Sequence, residues 1–445
     1  MQKDKISTGL TPEEKRQKRF EQWLSPPGIT FDSPQAETDY KTRVTRVIKA
    51  IQLEESDRVP LMTPAGNFPA YYAGYNLKTV MSDYDKLKEA WLKFLHDFEL
   101  DLFPGPGLIL SAKQLEMIDH KLHQWPGNGM TDDDVPMYQF VEKEHMKSGD
   151  YDAFIRDPTD YLLRTYLPRT NRALAGLSKL APLTPLVSIP IFYLNRFGDP
   201  DVRAAFQTML DVGAEGAKWG AVVGEVGLTA MQAGVPSISG GFSGAPFDQI
   251  GDAMRGTTAI MLDMYRQPDK LLQAMERITP ILINEAVEAA DMSNCPVIFM
   301  PLHKGPDGFM SGKQFETFYW PTLKKVMMGM IDEGLVPMLF AEGDYGSRLD
   351  IIRDMPRGKV IWYFETMDMA KAKKVLGDNA CIVGNLPITL LITGTPAQVK
   401  EGCRRLIETC APGGGYILSG SASMNTGNPD NLRAMMEAVK EYGVY

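Results

Sequence analysis

The sequence predicts a single (β/α)8 barrel, and three observations carry that reading. From about residue 57 onward, short β-rich runs alternate with helical patterns. The runs are apolar on both faces, as strands of a parallel sheet are when covered on each side. About eight such units follow over roughly 390 residues, which suits a barrel better than a doubly wound sheet. No GxGxxG or GxxxxGK[ST] follows any strand, so a nucleotide-binding sheet has no support.

The elements can be taken in order. Residues 1–50 read as an N-terminal helical extension, a lid or oligomer contact without chemistry of its own. Thr11-Pro12-Glu13-Glu14 starts a helix with Thr at the N-cap, Pro at N1 and Glu at N3, and Ser25-Pro26-Pro27-Gly28 stops it. A second helix is expected over 37–53. Residues 51–445 then form the barrel. Strands are expected at 58–62, 100–103, 187–191, 235–239, 297–302, 336–341, 360–364, 380–383 and 416–419. In the second half, helices are expected near 312–333, 347–354, 368–376, 396–410 and 429–442. Residues 110–180 hold polar and proline-containing segments, including Asp132-Asp133-Asp134, and read as an insertion over the barrel mouth.

Composition narrows the partners. Of 445 residues, 44% are hydrophobic and 23% charged, an ordinary globular balance, and the net charge is −9. Without a basic block, nucleic acid is not an expected partner. No run of about 18 apolar residues suggests a membrane span, and the charged N-terminus lacks a signal-peptide core. The four cysteines, Cys295, Cys381, Cys403 and Cys410, show no metal-binding spacing. A cytoplasmic location is the expectation. The 26 methionines could fill a core or wrap an apolar ligand.

Catalytic residues of such barrels lie at the C-terminal ends of the strands. Three neighbouring strand ends present His303, Glu342 and Glu365, with Asp307, Asp344 and Asp368 nearby. One histidine and two carboxylates could bind zinc or another divalent ion. The same groups could perform acid–base chemistry without metal, or merely cap helices and pair with cations.

The second half carries an ordered series of motifs. They are Phe309-Met310-Ser311-Gly312-Lys313-Gln314-Phe315-Glu316-Thr317-Phe318-Tyr319-Trp320-Pro321, then Gly384-Asn385-Leu386-Pro387, then Gly415-Tyr416-Ile417-Leu418-Ser419 with Asn428-Pro429-Asp430-Asn431; Gly241-Phe242 also fits. In order and spacing they resemble the uroporphyrinogen decarboxylase superfamily over roughly residues 45–445. The departures are informative. Where decarboxylases carry an Arg-Gln-Ala-Gly-Arg-Tyr-type signature, this chain has Met62-Thr63-Pro64-Ala65-Gly66-Asn67-Phe68-Pro69, and Ser421 stands near the decarboxylase histidine. Where the superfamily's thiol methyltransferases carry a His-x-Cys pair and a further Cys, this chain has Phe340, Glu342 and Ala422.

The resemblance therefore implies the corrinoid-dependent, O-demethylase type of methyltransferase. A methyl group would pass from a methoxylated, aromatic substrate to the cobalt of a separate corrinoid protein. Glu342, His303 and Glu365 would hold zinc or protonate the leaving oxygen. Phe68, Tyr71 and Phe242 would line an apolar pocket, and Asn67, Asp344, Asn385 and Ser419 would make polar contacts. A decarboxylase or lyase is the alternative, with Arg348 as its nearest candidate for a substrate carboxylate. Non-catalytic tetrapyrrole or corrinoid binding is a third reading. The resemblance also implies a homodimer.

Overall fold

The computed structural model describes residues 9–130, 135–183, 187 and 190–445. Its central feature is a six-stranded parallel sheet. The strands are β1 (Gly241–Phe242), β2 (Val297–Leu302), β3 (Val336–Asp344), β4 (Ile361–Thr366), β5 (Cys381–Val383) and β6 (Tyr416–Ile417), hydrogen-bonded in chain order. Two further segments continue the curve as single parallel bridges. Leu61 pairs with Leu418 beyond β6, and Phe103 pairs with Ser237 just ahead of β1. Eight staves are thus in place.

The ladder is nevertheless interrupted. Between the Leu61 and Phe103 segments the Asp101 carboxylate substitutes for a strand partner, accepting the Leu61 N–H at 3.1 Å. Arg58 and Arg46 neutralise Asp101, at 2.5 Å and 3.1 Å. A buried carboxylate is tolerable when paired in this way.

Side chains along each strand alternate between two cores. Ile298, Met300, Leu302, Leu339, Trp362, Phe364 and Ile382 pack outward among the surrounding helices. Val297, Val336, Met338, Ile361, Tyr363, Cys381, Val383 and Ile417 face inward, with Phe299 and Phe340 beside them. Both faces are apolar, so no polar alternation shows in the sequence.

The N-terminal extension joins this inner core. Helices α1 (Pro12–Leu24) and α2 (Pro34–Gln52) bring Phe20, Trp23, Tyr40, Val44 and Ile51 against the first residues of the strands. Three arginines fix them to the turns that lead into strands. Arg16 donates to the Gly358 carbonyl at 2.6 Å, Arg19 to Glu333 at 2.8 Å and Arg43 to Gly234 at 2.6 Å. Gly334 shows why its turn needs glycine: φ is +76°, and a Cβ would meet the Arg16 nitrogen at 2.6 Å. The extension is therefore a floor under the barrel. The expected lid is not what these helices form, because their apolar faces match the strand starts and not the mouth.

Most expected boundaries hold, but the strand expected at 235–239 is reduced to a single bridge at Ser237, with β1 following at Gly241. The Thr11–Glu14 capping box forms, with Thr11 N–H to Glu14 Oε2 at 2.7 Å. The second helix begins earlier than expected, at Pro34, because Ser33 caps it. The run expected as a strand at 187–191 is different. Pro190 opens a short helix, Pro190–Leu194, with Ile191 exposed; residues 188 and 189 lie outside the described ones. Helix α3 (Pro200–Gln232) follows.

The 110–180 region folds as short helices and a small sheet with His123–Pro126 at its centre. It reaches the mouth, where Asn67 Nδ2 donates to the Pro136 carbonyl at 2.8 Å. The Asp132–Asp134 run lies outside the described residues. Among the described residues no helix is long and apolar enough to cross a membrane.

Candidate active site

The inward-facing rows end at the mouth in polar residues. Continuing the alternation, Val297 and Phe299 lead to His303, Met338 and Phe340 to Glu342, Ile361 and Tyr363 to Glu365, Val383 to Asn385, and Ile417 to Ser419. An aromatic line runs just beneath. Phe242 meets Phe299 edge-on at 5.8 Å, Phe299 stacks near Phe340 at 6.1 Å, and Phe340 meets Tyr363 at 4.5 Å. Phe242 is 53% exposed and offers an apolar edge at the mouth.

His303 is the centre of the charge arrangement. Its Nδ1 lies 2.6 Å from Asp252 Oδ2, and its Nε2 lies 3.6 Å from Glu342 Oε1. The second distance is too long for a direct hydrogen bond. Asp248 holds the backbone at this point, accepting the His303 and Lys304 N–H groups at 3.0 Å each and the Tyr319 hydroxyl at 2.6 Å. Lys304 Nζ reaches Asp252 Oδ1 at 2.6 Å.

These contacts set the protonation states. Burial works to lower His303, but the Asp252 hydrogen bond and the charges of Asp252, Glu342 and Asp248 outweigh it and raise it to about 9. The ring is therefore an imidazolium at neutral pH. Burial raises Asp252, and His303 with Lys304 more than reverses this, so Asp252 stays ionised. Glu342 is pushed up by burial, with Glu365 and Asp252 adding to the rise and His303 opposing it. Burial and the Asp252 charge push Asp248 upward, against the donors that favour its anion.

Asp248 and Asp252 were not singled out in the sequence. The available signal was a pair of carboxylates four residues apart on the helical segments Pro246–Gln249 and Ile250–Arg255, directly after β1. Without knowing that β1 neighbours β2, nothing linked them to His303.

Other expected site residues have different places. Phe68 is 2% exposed and packs in an aromatic group with Tyr72, Phe94 and Phe98. It is a core residue and does not line a pocket. Arg348 is buried beside Asp307 at 3.1 Å, with its guanidinium 4.8 Å over the Phe315 ring. Its charge is committed there, so it offers nothing to a substrate carboxylate. Asp344 Oδ1 accepts the Gly346 N–H at 2.8 Å and shapes a turn. Tyr71 donates to the Val135 carbonyl at 3.3 Å. Asn385 Nδ2 donates to the Met367 carbonyl at 2.9 Å, and Ser419 is buried with its hydroxyl 3.5 Å from that of Tyr363.

The donor set does not fit zinc. Glu365 Oε2 accepts the Gly343 N–H at 2.7 Å, and Glu365 does not close with His303 and Glu342 into one three-donor cluster. Structural and catalytic zinc sites use at least three protein ligands. Among the described residues no group of three His, Cys, Asp or Glu side chains could hold a metal ion.

A family profile for uroporphyrinogen decarboxylase (URO-D) matches residues 204–442, just over half of the chain. The chain belongs to the uroporphyrinogen decarboxylase family. The matched URO-D region contains His303, Glu342, Glu365, Asp248 and Asp252. Uroporphyrinogen decarboxylase from Syntrophotalea carbinolica is 23% identical over 208 residues, covering 45% of this chain and 58% of its own. The Myxococcus xanthus enzyme of the same name is 25% identical over 225 residues, covering 48% and 61%. This chain thus spans about three fifths of the length of those relatives. A solved methyltransferase from Methanosarcina mazei shares the fold, with a TM-score of 0.55 and 16% identity over 89% of this chain and 98% of its own.

Proposed function

We propose that this URO-D family member is a methyltransferase that cleaves a methyl ether and delivers the methyl group to a corrinoid on a partner protein. The observation that carries the reading is the acid at the mouth: an imidazolium kept charged by Asp252, 40% exposed, with its second ring nitrogen uncommitted. An ether oxygen is a poor leaving group, and a positioned acid makes it a better one.

The reduced corrinoid supplies the nucleophile that takes the methyl group. His303 Nε2–H donates to the ether oxygen as the methyl–oxygen bond breaks. The oxygen keeps the bonding electrons, takes the proton and leaves as an alcohol or phenol. Asp252 keeps the ring oriented and charged, and Glu342 stands where it can return the proton. Phe242 and the aromatic line below it offer a surface for an apolar ring. Zinc has no part in this scheme, since its donor set is incomplete.

A second reading, decarboxylation of a carboxylated substrate, draws on the names of the relatives. It would rely on cations at the mouth; His303 is one, whereas Lys304 is tied to Asp252 at 2.6 Å and Arg348 is buried elsewhere. The test is incubation with methoxylated aromatics and Co(I) cobalamin, following methylcobalamin by absorbance. Activity abolished by His303→Ala supports the methyltransferase. Carbon dioxide release from a porphyrinogen or another acid, without methyl transfer, would sink it. Tetrapyrrole absorbance in the purified protein with neither activity would favour a carrier.

A further inference from the structure

Residues 135–141 touch the barrel mouth at one end and a small sheet at the other. At the mouth, Asn67 Nδ2 donates to the Pro136 carbonyl at 2.8 Å and the Tyr71 hydroxyl to the Val135 carbonyl at 3.3 Å. At the sheet, Gln139 and Phe140 pair antiparallel with Gln124 and His123, and the Val141 N–H donates to the Leu122 carbonyl at 2.7 Å. Two histidines meet where that sheet joins the rest of the insertion. His120 Nε2 and His123 Nδ1 stand 2.9 Å apart.

The neighbours assign the protons of this pair. Asn171 uses its Nδ2 on the Leu167 carbonyl at 3.4 Å and the Thr170 hydroxyl at 3.0 Å, so its Oδ1 is the atom facing His120 Nδ1 at 2.8 Å. An amide oxygen only accepts, so His120 carries its proton on Nδ1 and accepts on Nε2, and His123 donates from Nδ1. One added proton can be accommodated. His120 then donates from both nitrogens, and His123 moves its own proton to Nε2 and accepts on Nδ1. A second added proton sets two N–H groups and two like charges face to face, and the bond is lost.

The surroundings do not relieve that clash. Tyr138 and Phe140 stand edge-on to His123, each 5.3 Å away between ring centroids. Lys121 lies between the two histidines in the chain, and the Lys78 side chain lies beside Gly127 just past the strand His123–Pro126. The carboxylates on the adjoining elements are placed elsewhere. Asp119 pairs with Arg172 at 3.8 Å, Asp150 with Arg169 at 2.5 Å, and Glu116 is exposed. Just beyond the segment, burial and the charges of Lys143, Lys147, Lys121 and Arg169 keep His145 neutral as well. Burial lowers both members of the pair, and the charge of His120 adds to the effect on His123, which falls to about 4. Histidines depressed in the closed form support closure fully above their ordinary 6.5. They withdraw that support as pH falls from there toward about 4.

We propose that the His120–His123 pair is an acid-released latch that holds residues 135–141 at the barrel mouth. Hydrogen exchange on the full chain, corrected for the intrinsic effect of pH, is the test. Residues 135–141 should open roughly tenfold more at about pH 5 than at about pH 7.5, while α1 and α2 stay protected. His123→Gln should abolish the difference, because an amide can donate to His120 Nε2 or accept from it and takes up no charge. Should that protein fail to fold, His120→Gln makes the same test from the other ring. Equal opening of the wild type at the two pH values would overturn the proposal. So would a difference of wild-type size in the folded glutamine variant.

Discussion

His303 Nδ1 stands 2.6 Å from Asp252 Oδ2, and this pairing keeps the ring charged at a site where burial alone would neutralise it. An acid with a pKa of about 9 sets the upper limit of the reaction's pH range. Turnover should therefore fall as pH rises through about 9. In Asp252→Asn the limb should move to lower pH, toward the ordinary histidine value of 6.5. NMR titration of His303 checks the same shift independently of activity. A limb that does not move in Asp252→Asn would remove Asp252 as the positioning residue.

The same pairing couples stability to pH. The folded pKa is raised, so the stabilisation is fully present below pH 6.5 and is lost as pH rises through about 9. Thermal midpoints of wild type and His303→Gln measured at pH 6 and pH 9.5 should differ more at the lower value.

Asp101 should be a structural keystone. It accepts from the Leu61 backbone and pairs with Arg46 and Arg58 where the strand ladder is interrupted. Asp101→Ala leaves the Arg58 guanidinium without a carboxylate and Arg46 with Asp57 alone, and a loss of about 3–5 kcal/mol is expected. Urea denaturation gives the number. A loss below about 1 kcal/mol would mean that the two segments are held by packing alone.

Phe68 and Arg348 should behave as core residues. Phe68→Ala should cost about 3–5 kcal/mol of stability, and Arg348→Ala should destabilise through the lost contacts to Asp307 and Phe315. KM should stay close to wild type in both proteins wherever they remain folded. A large rise in KM at unchanged stability would return either residue to the binding site.

Trp23 tests the floor. It is 2% exposed and packs with the inward-facing strand residues. Trp23→Ala should cost about 3–5 kcal/mol. Calorimetry should show one cooperative transition for the extension and barrel together. A separate early transition would mean that the helices merely rest on the barrel.

Most of the staves were legible because strands covered on both faces read as continuous apolar runs, and the strand-end rule set His303, Glu342 and Glu365 at neighbouring strand ends, where the structure has them. What it hid has physical causes. Phe68 follows a strand end just as His303 does, but a helical turn swings its ring into the core. Arg348 sits near the mouth in the chain, yet Asp307 and Phe315 hold it inside. Asp248 and Asp252 precede His303 by about fifty residues, and only the β1–β2 pairing makes them neighbours. The role of the extension was equally invisible, since an amphipathic helix shows which face it buries and not against what.

Among the described residues the base of the barrel is plugged. With Trp23 and Tyr40 seated among the strand starts, traffic through the barrel axis is blocked from below. A molecule that approaches His303 along the barrel axis therefore comes from the mouth. Under the proposed function, a methyl donor and a bulky acceptor would approach from that same side, so their order of entry would become a property of the architecture.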